Sequence, residues 1–198
     1  MTDMTDSALI IVDMLYDFID GSLACRNSKN AVRETVSFID RMTAGQNGDE
    51  NEILDTFPIL FVCDHHPADH CSFTSNGGTW PSHCVVGTHG GAVHEMLQPY
   101  MNDELIFYKG CDRNTEQYSG FEGANKAGQS LGEVLELMDI KEVYVCGIAT
   151  EFCVRATCLD LRKAGFDVRL LSQALAYVDE AGHNATLKEL GSSGIDIL

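Results

Sequence analysis

Positive charge is scarce in this sequence. Only 13 Lys and Arg residues stand against 30 Asp and Glu residues, which gives a formal net charge of −17 at pH 7. No basic cluster interrupts this balance, whereas proteins that bind nucleic acids concentrate Lys and Arg where they meet the phosphates. The composition therefore argues against a nucleic-acid partner.

Long apolar runs are also absent. The stretch MTDMTDSALIIVD carries acidic residues where a signal peptide needs basic ones, and its apolar part is too short to span a bilayer. We therefore expect a cytoplasmic protein without a membrane partner. The 8 cysteines include no CxxC pair, which disfavours a structural zinc knuckle and a thioredoxin-like redox site. Reduced thiols are the expectation.

Proline is rare, and nothing in the sequence indicates a linker. With 4 prolines and 44% hydrophobic residues in 198 positions, the chain can bury a full core, so we expect one domain over residues 1–198. The acidic segment 45–55 is predicted to be a surface loop or an insertion.

Short apolar runs alternate with helical patterns along the chain. Continuous apolar runs, typical of strands buried on both faces, occupy residues 8–12, 59–63, 105–108, 143–146, 168–171 and 195–198. Helical spacing covers residues 31–42 (with Asn30 as N-cap), 128–138, 152–163 and 181–190. This alternation predicts an α/β fold, a three-layer αβα sandwich with a mostly parallel central sheet of about six strands.

Reactive residues follow four of the predicted strands. Asp13, Asp64 and Lys109 stand where three strands end, and Cys153 follows a fourth strand after a short turn. A single Asp after a strand is more often a turn former or a helix cap. Because parallel sheets bind ligands beyond the carboxyl ends of their strands, four such positions together predict one functional rim.

Asp13, Lys109 and Cys153 have the chemistry of an activated nucleophile. A carboxylate can accept the thiol proton, while an ammonium group and the positive end of the helix that begins near Cys153 should favour the thiolate. Backbone N–H groups of the turn 147–150 could hold the oxyanion of an acyl transfer. The alternative is an Asp–Lys ion pair beside a buried structural thiol.

A second group of candidate residues lies in DHHPADHCSF at 64–73 and WPSHC at 80–84. Asp64 and His66 project to the same side of an extended segment, and His83 could complete a site for zinc, manganese or iron(II). His70 could be a further ligand or a residue that supports one. The other histidines of the region, His65 among them, are expected to have only surface or hydrogen-bonding roles.

Two aromatic residues flank these candidate ligands. Trp80, the only tryptophan, could stack on a flat ring held at the metal, and Phe18 could form the opposite wall. Core packing is the alternative for both.

Taken together, these motifs resemble the nicotinamidases of the isochorismatase-like cysteine hydrolases. The resemblance covers nearly the whole chain and is carried by ALIIVDMLYDF at 8–18, GSLA at 21–24, DHHPADHCSF, WPSHCVVGT at 80–88, FYKG at 107–110, YSGFEG at 118–123 and CGIATEFCVRAT at 146–157. It implies that Asp13, Lys109 and Cys153 form a catalytic triad. It also implies one divalent metal ion on Asp64, His66 and His83, with zinc expected first and iron or manganese as alternatives.

The resemblance extends to the oxyanion hole and the substrate. It implies a cis peptide between Ile148 and Ala149, an oxyanion hole formed by the N–H groups of Ala149 and Cys153, and a substrate-binding role for Tyr118. The implied reaction converts nicotinamide to nicotinate and ammonia in NAD salvage. The alternatives are another amidohydrolase of this fold, acting on N-carbamoyl amines or ureido compounds, and a catalytically silent metal-binding protein. A homo-oligomer is only a base-rate expectation.

Overall fold

The protein is built around one parallel β-sheet, seen in a computed structural model that describes residues 6–43 and 57–198. Its 6 strands lie in the order β3-β2-β1-β4-β5-β6, and every neighbouring pair is parallel. The strands are β1 Ser7–Val12, β2 Ile59–Asp64, β3 Ile106–Lys109, β4 Glu142–Gly147, β5 Asp167–Leu175 and β6 Asp196–Ile197. The predicted α/β fold with a central parallel sheet is confirmed.

Helices cover both faces of the sheet. They are α1 Tyr16–Ile19, α2 Ser28–Thr43, α3 Leu131–Leu137, α4 Arg155–Ala164 and α5 Glu180–Ser192. Successive residues of the buried strand β1 point to opposite faces, as the alternation of a strand requires. Ile11 packs into the core beneath α1 and α2, whereas Ile10 packs into the core beneath α3, α4 and α5. This arrangement is the three-layer sandwich that the sequence predicts.

Two predicted helix starts differ from the structure. Asn30 is not a cap, because α2 begins at Ser28 and the Ala31 N–H already bonds to the Asn27 carbonyl in helical fashion. Helix α3 begins at Leu131 rather than at residue 128, because Ser130 and Glu133 form a capping box there. Both differences concern the first residues of helices. Local hydrogen bonds determine where a helix begins, and the spacing of apolar residues does not report them.

Some sequence-based expectations fall outside the described residues, among them the surface loop predicted at 45–55.

All 8 cysteines lie in the described ranges and are free, and those at 71 and 111 are the only two that are not buried. Within the described ranges, no helix has the length and apolar character that crossing a membrane requires.

The strand order fixes where a ligand site is expected. Strand β1 lies between β2 and β4, so the chain leaves β1 toward one side of the sheet and later continues on its other side. Open parallel sheets bind ligands in the crevice at such a reversal, beyond the carboxyl ends of the strands. Asp13 directly follows β1 at this crevice.

Candidate active site

The four reactive residues predicted from strand ends meet at this edge of the sheet. Lys109 Nζ lies 2.9 Å from Asp13 Oδ2 and 3.3 Å from Cys153 Sγ, and it also contacts Asp64 Oδ1. Asp13 is fully buried, and the other three residues are at least nine-tenths buried. One ammonium group is thus shared by two carboxylates and a thiol.

Asp13 has an unusual backbone position and one strong backbone contact. Its φ of 51° lies in the left-handed region, which Asp tolerates better than most residues. Its Oδ1 accepts the Asp64 N–H at 2.7 Å, so the carboxylate of one strand end is fixed by the backbone of the next. The other oxygen, Oδ2, remains directed at Lys109.

The two carboxylates have pKa values shifted in opposite directions. Burial, together with the nearby negative charge of Asp64, raises the pKa of Asp13 to about 6, although Lys109 opposes this rise. Burial alone would also raise the pKa of Asp64, but the charge of Lys109 holds it well below its usual range, and His66 adds to this only while its ring is protonated. Environments that separate the pKa values of two neighbouring carboxylates assign them different roles. Asp13 is the group that can exchange a proton near neutral pH, and Asp64 stays charged.

Lys109 keeps its proton despite complete burial. Burial lowers the pKa of a lysine, but the charges of Asp13 and Asp64 raise the pKa of Lys109 well above its usual value. The side chain therefore provides a fixed positive charge beside the sulfur of Cys153.

Cys153 lies in a π-helical turn, Thr150–Val154, that leads into α4. The expected helical position is confirmed, but the turn starts two residues earlier than predicted and is wider than an α-helical turn. The expected preference for the thiolate is wrong for this arrangement: burial raises the pKa of Cys153 well above its usual value, and Lys109 offsets this only in part. A thiol in this state needs a base to accept its proton before the sulfur can act as a nucleophile.

A base is within reach of that thiol. One carboxylate oxygen each of Asp13 and Asp64 and the sulfur of Cys153 all lie within 4.8 Å of one another. Of the two carboxylates, Asp13 has the pKa near neutrality, so it is the one suited to accept the proton.

The turn before Cys153 contains a free backbone donor. The peptide bond between Ile148 and Ala149 is cis, as the family resemblance implies. The Ala149 carbonyl accepts the N–H groups of Phe152 and Val154, whereas the Ala149 N–H has no acceptor among the described residues. Ala149 and Cys153 line the same cavity, and a backbone donor there is suited to stabilise an oxyanion.

Asp64, His66 and His83 are brought together as a group that could hold a metal ion. Asp64 Oδ2 lies 3.4 Å from His66 Nε2 and 3.9 Å from His83 Nε2. The Nδ1 atoms of the two histidines face the carbonyls of Gly110 and Pro81, at 2.9 and 2.8 Å. A carbonyl can only accept, so each Nδ1 carries the proton and each Nε2 keeps a lone pair for a metal. Two imidazoles and one carboxylate with open positions fit a divalent ion such as zinc.

His70 is not part of this group. Its Nε2 lies 3.1 Å from the Thr115 carbonyl and its Nδ1 lies 2.7 Å from Ser72 Oγ, so both nitrogens already have partners. Its ring is stacked on His66, with the ring centroids 4.1 Å apart. Of the two roles left open for His70, the structure therefore favours support of a ligand over direct ligation. His65 also points elsewhere and packs against Tyr108.

A cavity opens beside the sulfur and the candidate metal ligands. It measures about 450 Å³, including the part open to solvent, and its lining includes Phe18, Trp80 and Tyr118, the three residues predicted to contact the substrate. Phe18 packs against His83 with ring centroids 5.4 Å apart, and Trp80 Nε1 donates a hydrogen bond to Tyr118 Oη at 3.2 Å. Aromatic walls of this kind suit a small flat ring.

Some residues that line the cavity were not predicted from the sequence. Phe152 stands edge-on to Trp80, with ring centroids 5.1 Å apart, and Gln117 lines the cavity wall beside Tyr118. Leu23, Cys25, Glu116 and Val178 complete this part of the lining. Phe152 could have been suspected because it directly precedes Cys153, but no sequence pattern distinguishes the other residues.

Comparison with known proteins places this geometry in a family. The model of the isochorismatase domain matches residues 7–198. The nicotinamidase/pyrazinamidase of Mycobacterium tuberculosis is 34% identical over 195 residues, covering 96% of this chain and 97% of that protein. The nicotinamidase of Schizosaccharomyces pombe is 30% identical over 214 residues, covering 96% and 92%.

Solved structures agree with this match. The pyrazinamidase of Pyrococcus horikoshii in complex with zinc superposes with a TM-score of 0.83 at 35% identity, covering 98% of each chain. The PnC1 protein of L. infantum in complex with nicotinate also gives a TM-score of 0.83, at 33% identity, covering 98% of this chain and 92% of that one.

Proposed function

This chain belongs to the isochorismatase family, and we propose that it is a nicotinamidase that hydrolyses nicotinamide to nicotinate and ammonia in NAD salvage. The observation that carries the proposal is the contact of Lys109 with Asp13, Asp64 and Cys153 at the wall of an aromatic cavity. The names of the relatives and the nicotinate complex support the choice of a pyridine carboxamide.

Binding is proposed to place the carboxamide at the sulfur. Phe18 and Trp80 offer apolar faces to the pyridine ring, and Tyr118 lines the same cavity. Holding the reacting carbonyl beside a fixed nucleophile removes most of the entropic cost of a two-body reaction.

The first chemical step is proposed to begin with a proton transfer from the Cys153 thiol to Asp13. The sulfur then bonds to the carboxamide carbon, and the electron pair of the C=O bond moves to oxygen. The N–H groups of Ala149 and Cys153 are suited to stabilise this oxyanion. Lys109 stabilises the negative charge that passes between the carboxylate and the sulfur.

The intermediate then loses ammonia and is hydrolysed. Asp13 returns its proton to the departing nitrogen, the C–N bond breaks, and a thioester remains on Cys153. Asp13 next removes a proton from a water molecule that attacks the thioester, and the proton returns to sulfur as nicotinate leaves. The balance is one water consumed and one ammonia released for each turnover.

The residues Asp64, His66 and His83 would hold a divalent cation at the wall of the same cavity. Bound there, such an ion supplies a Lewis acid for the ring nitrogen of the substrate. Asp64 is suited to connect the two parts of the site, because Oδ1 contacts Lys109 while Oδ2 faces both imidazoles.

The test is ammonia release from nicotinamide by the wild-type protein and by Cys153→Ala. The variant should keep its fold and bind nicotinamide, yet lose at least about 10³-fold in turnover, because the proposed thioester forms on the thiol that contacts Lys109. Cys158→Ala is the matched control: this cysteine is fully buried in α4, six residues before the helix ends, and it does not line the cavity. The control should keep wild-type turnover.

Mass spectrometry after rapid acid quenching adds a direct readout. A nicotinoyl group should be found on the peptide that contains Cys153. An active Cys153→Ala protein would contradict the acyl-enzyme mechanism. If only pyrazinamide or N-carbamoyl amines released ammonia, the family assignment would stand but the substrate would have to be revised.

A further inference from the structure

A loop beside the candidate metal site, residues 112–118, contacts the ligand His66 through two separate routes. We propose that Gln117 and His70 are positioning residues that join this loop to His66. Cation binding at His66 and the placement of Tyr118 in the cavity wall then stabilise each other. The inference rests on the cation site of the proposed function and adds the residues that connect this site to the cavity.

The first route runs along an edge of the His66 ring. Gln117 Oε1 accepts the Gly110 N–H at 3.1 Å, and the Gly110 carbonyl lies 2.9 Å from His66 Nδ1. Gly110 also lies close to the ring, because a Cβ added there would lie 2.3 Å from His66 Cε1. Gln117 therefore holds in place the residue whose carbonyl sets both the tautomer and the orientation of His66.

The second route runs over the face of the same ring. His70 is fully buried and stacked on His66. Because the Thr115 carbonyl can only accept, His70 Nε2 carries the proton, and Nδ1 accepts from Ser72 Oγ. A neutral ring with both nitrogens satisfied is thus held between the loop and the ligand.

The end of the loop forms part of the substrate wall. Tyr118 accepts the hydrogen bond of Trp80 Nε1, and both residues line the cavity together with Gln117. A cation that fixes His66 therefore favours the loop position in which Tyr118 lines the cavity. By thermodynamic reciprocity, a well-seated loop raises the affinity for the cation to the same extent.

The protein contains a built-in probe for this coupling, since Trp80 is the only tryptophan and bonds to the loop. The experiment strips the protein with a chelator, titrates Zn²⁺ in a competing chelator, and follows both zinc affinity and Trp80 fluorescence. The wild type should show a fluorescence change that saturates with the cation. Gln117→Leu, which keeps an uncharged side chain of similar bulk but lacks the acceptor, should bind Zn²⁺ about 10-fold more weakly and lose most of the fluorescence change.

Three further variants make the result specific. Asn114→Leu is the matched control, because this exposed amide lies in the same loop and its side chain bonds only to Asp112. It should behave as the wild type does. Gln117→Glu keeps an acceptor for Gly110 and should recover the fluorescence change. His70→Phe keeps a stacked ring but loses the bond to Thr115, and should weaken Zn²⁺ binding about as much as Gln117→Leu.

The outcomes separate this inference from the proposed function. A wild-type protein that binds no Zn²⁺ would overturn the cation site and the coupling together. Tight binding by the wild type, with the same affinity and fluorescence change in Gln117→Leu and His70→Phe, would overturn the coupling alone and leave the cation site intact. A loss of equal size in Asn114→Leu would also overturn it, because the effect would then not depend on the contacts with His66.

Discussion

Replacing Lys109 by Met should test the electrostatics of the site more directly than any other single substitution. Met has nearly the same length and volume, so packing is largely kept while the charge is removed. The side chain of Lys109 is fully buried, and its ammonium group contacts Asp13, Asp64 and Cys153. The variant therefore leaves two buried carboxylates without a cation between them.

The size of the effect follows from these contacts. Removing one partner of a buried ion pair typically costs about 3–5 kcal/mol, because the remaining charge stays desolvated. Asp13 is fully buried and Asp64 is 5% exposed, so neither carboxylate can turn to bulk water without moving the strand ends. We expect Lys109→Met to lose about 3–5 kcal/mol of unfolding free energy at neutral pH.

The assay is urea unfolding of wild type, Lys109→Met, Asp13→Asn and the double variant, all at one cation concentration. Asp13→Asn retains an oxygen for the Asp64 N–H, which Asp13 Oδ1 now accepts at 2.7 Å. Lys109→Met leaves two carboxylates without their cation, and the double variant removes the charge of one of them. It should therefore be more stable than Lys109→Met alone. Equal m-values would show that the change lies in stability and not in the unfolded state.

Two results would refute this reasoning. A loss of under about 1 kcal/mol in Lys109→Met would mean that the carboxylates are solvated or protonated at little cost. A double variant whose loss of unfolding free energy equals the sum of the two single losses would mean that Lys109 and Asp13 do not interact. Either result would remove the electrostatic basis for Lys109 as a shared cation.

The remaining predictions concern the ligands, the cavity wall and the backbone. His83→Ala should lower metal affinity by about 10-fold or more, measured by competition with a chelator, whereas His65→Ala should leave it unchanged; equal losses in both would contradict the ligand assignment. Trp80→Ala should raise KM for nicotinamide more than it lowers kcat, and an unchanged KM in steady-state kinetics would show that the ring does not contact the substrate. Gly147→Ala should destabilise the protein strongly in thermal unfolding, since φ is 132° and a Cβ would lie 2.0 Å from the Val12 carbonyl oxygen; an unchanged Tm would be inconsistent with this backbone.

The rim of the site could be predicted from the sequence because it depends on backbone order alone. Buried parallel strands end on the same edge of the sheet, so residues 13, 64 and 109 could be assigned to one place without any knowledge of side-chain contacts. The pairing of Asp64 with both Lys109 and the histidines could not be predicted in this way. Which oxygen faces which partner depends on rotamers, and the sequence patterns do not report rotamers.

The protonation state of Cys153 shows a different limit. The sequence identifies the positive groups near the sulfur, which are Lys109 and the start of a helix, and these favour a thiolate. It does not report the depth of burial, which the packing of all three layers determines. Burial is the largest influence on this thiol in the structure, and it reverses the expected direction of the pKa shift.

The register between β2 and β3 connects these observations. Asp64 pairs with Lys109 across the two strands, so both side chains project to the same face of the sheet edge. A slip of one residue would turn Lys109 to the opposite face and separate it from both carboxylates. The register is held by apolar neighbours such as Val62 and Phe107, which are paired two positions earlier and buried in the same core. The packing of apolar side chains inside the sheet therefore decides whether a single ammonium group can serve the proton acceptor, the candidate metal ligand and the thiol together.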